Sequence, residues 1–200
     1  TDWTIDTLCK KTNTRYGKVP AICIYSRYVP LARKILNELA PEVKIATVTN
    51  FPHGSSDIDI ALFETKLAIS RGADEVDIVF PYHYLKNGDH ITGEKMITAA
   101  KALCANKTLK VIIESGELKT PELIKTASEI SINSGADFIK TSTGKVAVNA
   151  TLEAAEIMLN TIKASGKKCG FKAAGGIRYV ADAAKYLDLA TKIMGNNWIN

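Results

Sequence analysis

No stretch of the chain's 200 residues approaches the ~18 consecutive apolar residues that a helix needs to span a bilayer. A helical membrane protein is therefore not expected. The start, Thr1-Asp2-Trp3, has neither the charged-then-apolar pattern of a signal peptide nor an initiator methionine, and a cytoplasmic location is expected. Cysteine is scarce: Cys9, Cys23, Cys104 and Cys169 stand far apart and form no C-x-x-C, which argues against a disulfide framework and a cysteine zinc site. Cys23, set in an apolar run, reads as a small core residue with incidental access to the pocket. His53, His83 and His90 lack metal-ligand spacing, so neither metal nor cofactor is expected. Blocks of one charge are also missing. The net charge of +5 is spread along the chain, which does not suggest nucleic acid and instead suits a small anionic partner.

What is present is apolar content of 46%, enough for one sizeable core, and a single domain over residues 1–200 is expected. Short apolar runs recur at Ala21–Tyr25, Lys44–Thr49, Val76–Phe80, Leu109–Ile113, Phe138–Thr141 and Gly170–Ala173. They start about 30 residues apart, the length of a strand, a crossover helix and two loops.

The segments between carry helical periodicity. Ile58, Ala61, Leu62, Ala68 and Ile69 share one face, with Ser56 and Asp59 spaced as a capping box and Gly72 as the stop. Thr120-Pro121-Glu122 opens a second helix that Gly135 ends, and a third runs from Thr151 to Ser165 before Gly166. Apolar strands alternating with amphipathic helices imply a parallel sheet covered by helices, doubly wound or closed into a barrel.

Two joints repeat, Gly72-Ala73-Asp74 and Gly135-Ala136-Asp137. Counted from each glycine, Asp77 and Lys140 occupy equivalent strand positions. In a barrel, alternate strands supply the same interior layer, so the two groups would meet. A lysine within Phe138-Ile139-Lys140-Thr141 either snorkels, pairs with an acid or does chemistry. Lys172, one strand on in Gly-Phe-Lys-Ala, is expected to face the same pocket. Crowding two ammonium groups in a dry site disfavours protonation, so one of them should become a nucleophilic amine able to attack a carbonyl. The iminium formed is an electron sink for cleaving or forming a carbon–carbon bond. Asp77 is placed either as the carboxylate that moves protons or as a structural partner.

Two glycine-bearing loops follow these strands. Thr143, Gly144 and Lys145 lie in one, and Gly175, Gly176 and Arg178 in the other. Backbone N–H groups beside a cation suit phosphate, and in barrels the loops after late strands often hold it. Lys110 and Glu114 share a strand face and either help line the pocket or, as is expected, form a buried ion pair or a solvated strand end.

These stretches resemble the deoxyribose-phosphate aldolase family. The resemblance rests on Asp74–Pro81, Lys110–Glu114, Ala136–Gly144, Gly170–Gly176 and Thr47–Gly54, and it runs through nearly the whole chain. It implies a TIM (β/α)8 barrel and reversible cleavage of 2-deoxy-D-ribose 5-phosphate to acetaldehyde and D-glyceraldehyde 3-phosphate, without metal. It also implies that Lys140 forms a Schiff base, that Lys172 tunes it, that Asp77 relays protons, and that Gly144, Lys145, Gly175, Gly176 and Arg178 face the phosphate.

The chain departs from the family in two ways. Ala173 stands where the family usually has proline, and a small effect on the loop is expected. Only six strands are counted, without the opening Leu-Asp-x-Thr-like and closing Phe-Gly-x-Ser-Ser-like segments. A barrel truncated to six βα units would expose two edges, which favours a homodimer and predicts weak phosphate binding and low activity. The competing readings are an inactive fragment of such an enzyme and another phosphate-binding barrel enzyme, an isomerase or synthase.

Overall fold

The computed structural model describes residues 2–15 and 17–198. It begins with α1 (Asp2–Lys10), a small antiparallel hairpin of β1 (Asn13–Thr14) and β2 (Gly17–Lys18), β3 (Ala21–Ile24), α2 (Val29–Leu39) and β4 (Lys44–Thr49). Then come α3 (Ile58–Ser70), β5 (Glu75–Val79), α4 (Tyr82–Lys86), α5 (Ile91–Cys104), β6 (Thr108–Ile112) and α6 (Ser115–Leu118). The order ends with α7 (Pro121–Asn133), β7 (Phe138–Lys140), α8 (Leu152–Ser165), β8 (Gly170–Lys172) and α9 (Val180–Met194). Strands β3 to β8 form one parallel sheet in strict sequence order. That order is the one of a (β/α) barrel, here open, with β3 and β8 as its edges among the described residues.

The helices start where local chemistry satisfies their first N–H groups. Thr120 Oγ1 accepts from Leu123 N–H at 3.3 Å to cap α7, and Thr151 Oγ1 accepts from Ala154 N–H at 3.1 Å to cap α8. The expected capping box at α3 is corrected by one position. Its cap is Asp57, which accepts from Ile60 N–H at 3.0 Å, because the helix begins at Ile58 and not one residue earlier.

Both Gly-Ala-Asp joints do the same work. Asp74 Oδ2 accepts the N–H of Ile45, on the preceding strand, at 2.9 Å and pairs with Arg33. Asp137 Oδ2 accepts the N–H of Leu109 at 2.8 Å and pairs with Lys101 at 2.6 Å. Each aspartate clasps the start of its own strand to the strand before it.

Register divides every strand into two faces. Ile45, Val76, Ile78, Leu109, Val111 and Ile139 form one, fully buried in the core shared with the helices. Each such side chain contributes ~1.5–3 kcal/mol by its burial. Cys23, Ala46, Glu75, Asp77, Lys110, Lys140 and Lys172 form the other, the concave face. Cys23 is therefore not core but exposed. Its neighbour in register is Ala46, and it borders the pocket, close enough to feel the charges of Asp77, Lys140 and Lys172. No described helix is long and apolar enough to cross a membrane.

Candidate active site

The concave face of β5 to β8 gathers the charges. Asp77 is fully buried at the centre of β5. Its Oδ2 accepts from Lys140 Nζ at 2.7 Å, and its Oδ1 accepts from Lys110 Nζ at 2.7 Å. Lys172 Nζ stands 3.8 Å from the same Oδ2. Lys110 also pairs with Glu75. The expected pair of lysines is thus a trio around one carboxylate. Lys140 is 7% exposed and does not reach for solvent, whereas the side chain of Lys172 is 37% exposed.

Register explains the meeting. Asp77 pairs with Lys110 across β5 and β6, while Lys140 pairs with Ile112 on one side and Lys172 on the other. Lysines two residues apart along this stagger converge because a long side chain spans the offset.

The electrostatics follow from three ammonium groups facing two carboxylates. Burial alone would raise the Asp77 carboxyl, but Lys140, Lys110 and Lys172 outweigh it and hold the group below its ordinary value. Burial would lower Lys110, yet Asp77 and Glu75 raise it, so Lys110 is a firmly charged structural partner. Lys172 moves the other way. Burial, helped by Lys140 and Lys110 and opposed by Asp77, brings its amine below the usual lysine range. Lys172 is the more easily deprotonated of these two, and therefore the one suited to carry protons in and out.

The two glycine loops lie side by side beyond β7 and β8. Thr141 Oγ1 donates to Ala174 C=O at 3.1 Å and accepts from Ala174 N–H at 3.0 Å, tying their bases together. Thr143 Oγ1 accepts from Lys145 N–H at 3.1 Å around Gly144. Gly175 has φ +81°, and a Cβ there would sit 2.7 Å from Asn149 Oδ1, so only glycine fits that close approach. Gly144, Lys145, Gly176 and Arg178 are exposed. Lys145 and Arg178 make no ion pair among the described residues. A hollow of 1620 Å³ runs along β8, lined by Phe138, Lys140, Lys172, Gly175, Leu187 and Met194 among others.

Of the readings open for Lys110, the structure combines two, an ion pair that also lines the pocket, and its alternation with Leu109 and Val111 is what sets it on the face of Asp77. Glu75 and Glu114 were not assigned to the site; Glu114 is fully buried beneath the Thr143 loop. No cluster of three or more His, Cys, Asp or Glu suited to a metal ion occurs among the described residues.

An open parallel barrel whose concave face draws lysines onto one carboxylate defines an α/β-barrel aldolase. Residues 3–197 match the DeoC/LacD family aldolase description, and the chain belongs to that family. It is similar to a candidate deoxyribose-phosphate aldolase from Coccidioides immitis at 29% identity and a TM-score of 0.88, covering 94% of this chain and 73% of that one. It is also similar to a protein described as QR15, an aldolase, at 28% identity and a TM-score of 0.85, covering 100% and 89%. The deoxyribose phosphate aldolase of Aeropyrum pernix, described as a unique tetramer, shares the fold at 22% identity and a TM-score of 0.80, covering 94% and 77%.

Proposed function

We propose that the chain cleaves 2-deoxy-D-ribose 5-phosphate reversibly to D-glyceraldehyde 3-phosphate and acetaldehyde through a Schiff base on Lys140. The observation that carries this reading is that Lys140 and Lys172 share one oxygen of buried Asp77. Lys140 would attack the open-chain aldehyde carbon, and loss of water gives an iminium. Removal of the proton from the C3 hydroxyl then breaks the C2–C3 bond, releases glyceraldehyde 3-phosphate and leaves an enamine. Protonation at C2 and hydrolysis release acetaldehyde and restore the amine. Lys172, with its depressed amine, suits these proton transfers, and Asp77 stays ionised to orient both lysines. Thr143, Gly144, Lys145, Gly175, Gly176 and Arg178 form the proposed phosphate subsite, on exposed backbone N–H groups and two unpaired cations.

The test is borohydride reduction in the presence of acetaldehyde followed by peptide mapping. An adduct on the Lys140 peptide, absent after Lys140→Arg, supports the reading; an adduct elsewhere or none defeats it. A second reading, an inactive barrel, is favoured by the two open edges of the sheet at β3 and β8. It predicts no adduct at all. A homodimer is also proposed for the exposed edges, and mass in solution decides it.

A further inference from the structure

Glu114 forms no ion pair with the lysine cluster, yet its side chain is fully buried. Among the described residues no cation lies within ion-pair distance of it. Its backbone is left-handed, φ 55° and ψ 59°, a conformation that costs free energy for any residue with a Cβ. A buried acid on a strained backbone needs a compensating contact.

The contact is the loop after β7. Ile113 N–H donates to Lys140 C=O at 3.0 Å, and Ser115 N–H donates to Thr141 C=O at 2.9 Å. Between them the chain turns at Glu114, and its carboxylate accepts the N–H of Thr143, at 3.2 Å to one oxygen and 3.3 Å to the other. The exits of β6 and β7 are stitched rung by rung, and the last rung is a side chain. From Thr143 the hold passes on, since its hydroxyl accepts from Lys145 N–H across Gly144.

We propose that Glu114 is a positioning residue that fixes Thr143 so that Gly144 and Lys145 face an anionic substrate group. It rests on the reading of this loop as the phosphate subsite. The bond is half-buried and its acceptor is fully buried, so removing the carboxylate takes away the anchor of the loop from beneath. The groups facing Glu114 are Thr143, Glu117, Lys140 and Tyr82.

The experiment compares the full chain with Glu114→Ala and Glu114→Gln by two readouts. One is affinity for inorganic phosphate, followed through the amide signals of Thr143, Gly144 and Lys145. The other is the rate of reductive acetaldehyde trapping. Glu114→Ala is expected to weaken phosphate about tenfold, as for a lost hydrogen bond to a charged group, while trapping changes by less than about twofold. Glu114→Gln keeps an acceptor oxygen and is expected to restore affinity to within about twofold. Equal loss of both readouts, no loss of phosphate, or failure of the glutamine rescue overturns the proposal, as does a parent chain whose loop amides ignore phosphate. A parent that binds phosphate there but forms no adduct defeats the aldolase reading alone. Should Glu114→Ala not fold, acid titration of the parent decides. The Thr143, Gly144 and Lys145 amides must then shift in one common step that Glu114→Gln removes, and a Thr143 amide that stays still overturns the proposal.

Discussion

The two faces of β5, β6 and β7 are built from the same short segments and do opposite things. Outward, Ile78, Leu109, Val111 and Ile139 are dry, neutral and fully buried against helices. Inward, one residue away, Asp77, Lys110 and Lys140 are also buried, yet charged and bound to one another. Burial alone therefore does not distinguish the stabilising face from the reactive one. What distinguishes them is whether burial is offset by packing or by charge pairing.

The sharpest way to break this comparison is to cut on each side of one peptide. Ile139→Ala is expected to lower unfolding stability by ~2–5 kcal/mol through the cavity it leaves, with the Lys140 adduct still formed. Lys140→Met, which leaves Asp77 with Lys110 and Lys172, is expected to change stability by no more than ~1 kcal/mol and to abolish the adduct. Denaturant melts and trapping on both variants check this, and a stability loss that is larger for Lys140→Met reverses the assignment of faces.

Next in size is the carboxylate. Asp77→Asn leaves buried lysines without their anion and is expected to cost ~3 kcal/mol at neutral pH. Because the lysines depress the folded Asp77 carboxyl against the effect of burial, its contribution is present above the unfolded value of ~3.9. It is lost as pH falls through the lower folded value. The parent should therefore lose stability in acid where the asparagine variant has none of this contribution left to lose. Urea melts between neutral and strongly acid pH test it, and parallel curves would count against it.

A smaller effect is expected at Lys172. Its folded amine is depressed, so the fold binds fewer protons there than the unfolded chain, and stability from this group rises as pH climbs from its folded value toward ~10.4. Lys172→Met should remove that rise. It should also slow trapping at Lys140 by roughly a hundredfold if proton transfer is its task. A pH–rate profile unchanged by the substitution would leave Lys172 a bystander.

Much of this was legible in the residues. The βα spacing gave all six long strands, and Thr120-Pro121 and Gly166 gave two helix ends, because a cap, a fixed φ and a left-handed stop are local chemistry. The equal offset from the two Gly-Ala-Asp joints placed Asp77 and Lys140 at matching strand positions. The hairpin of β1 and β2 was not legible, since two-residue strands carry no period. Cys23 misled because an apolar run reveals that a strand exists and not which face is covered. The pattern around Glu114 fits a pocket-lining group, an ion pair or a solvated strand end equally. Its contact depends on a left-handed backbone that glutamate does not advertise.

The clasps made by Asp74 and Asp137 fall at alternate seams of the sheet: β4 is pinned to β5 and β6 to β7, whereas β5 is tied to β6 by the ion pairs of Lys110 with Asp77 and Glu75. Loss of one clasp should therefore loosen its own seam while the others keep their hold. Amide exchange would read this directly, with Asp137→Ala hastening Leu109 and leaving Ile45 at its native pace.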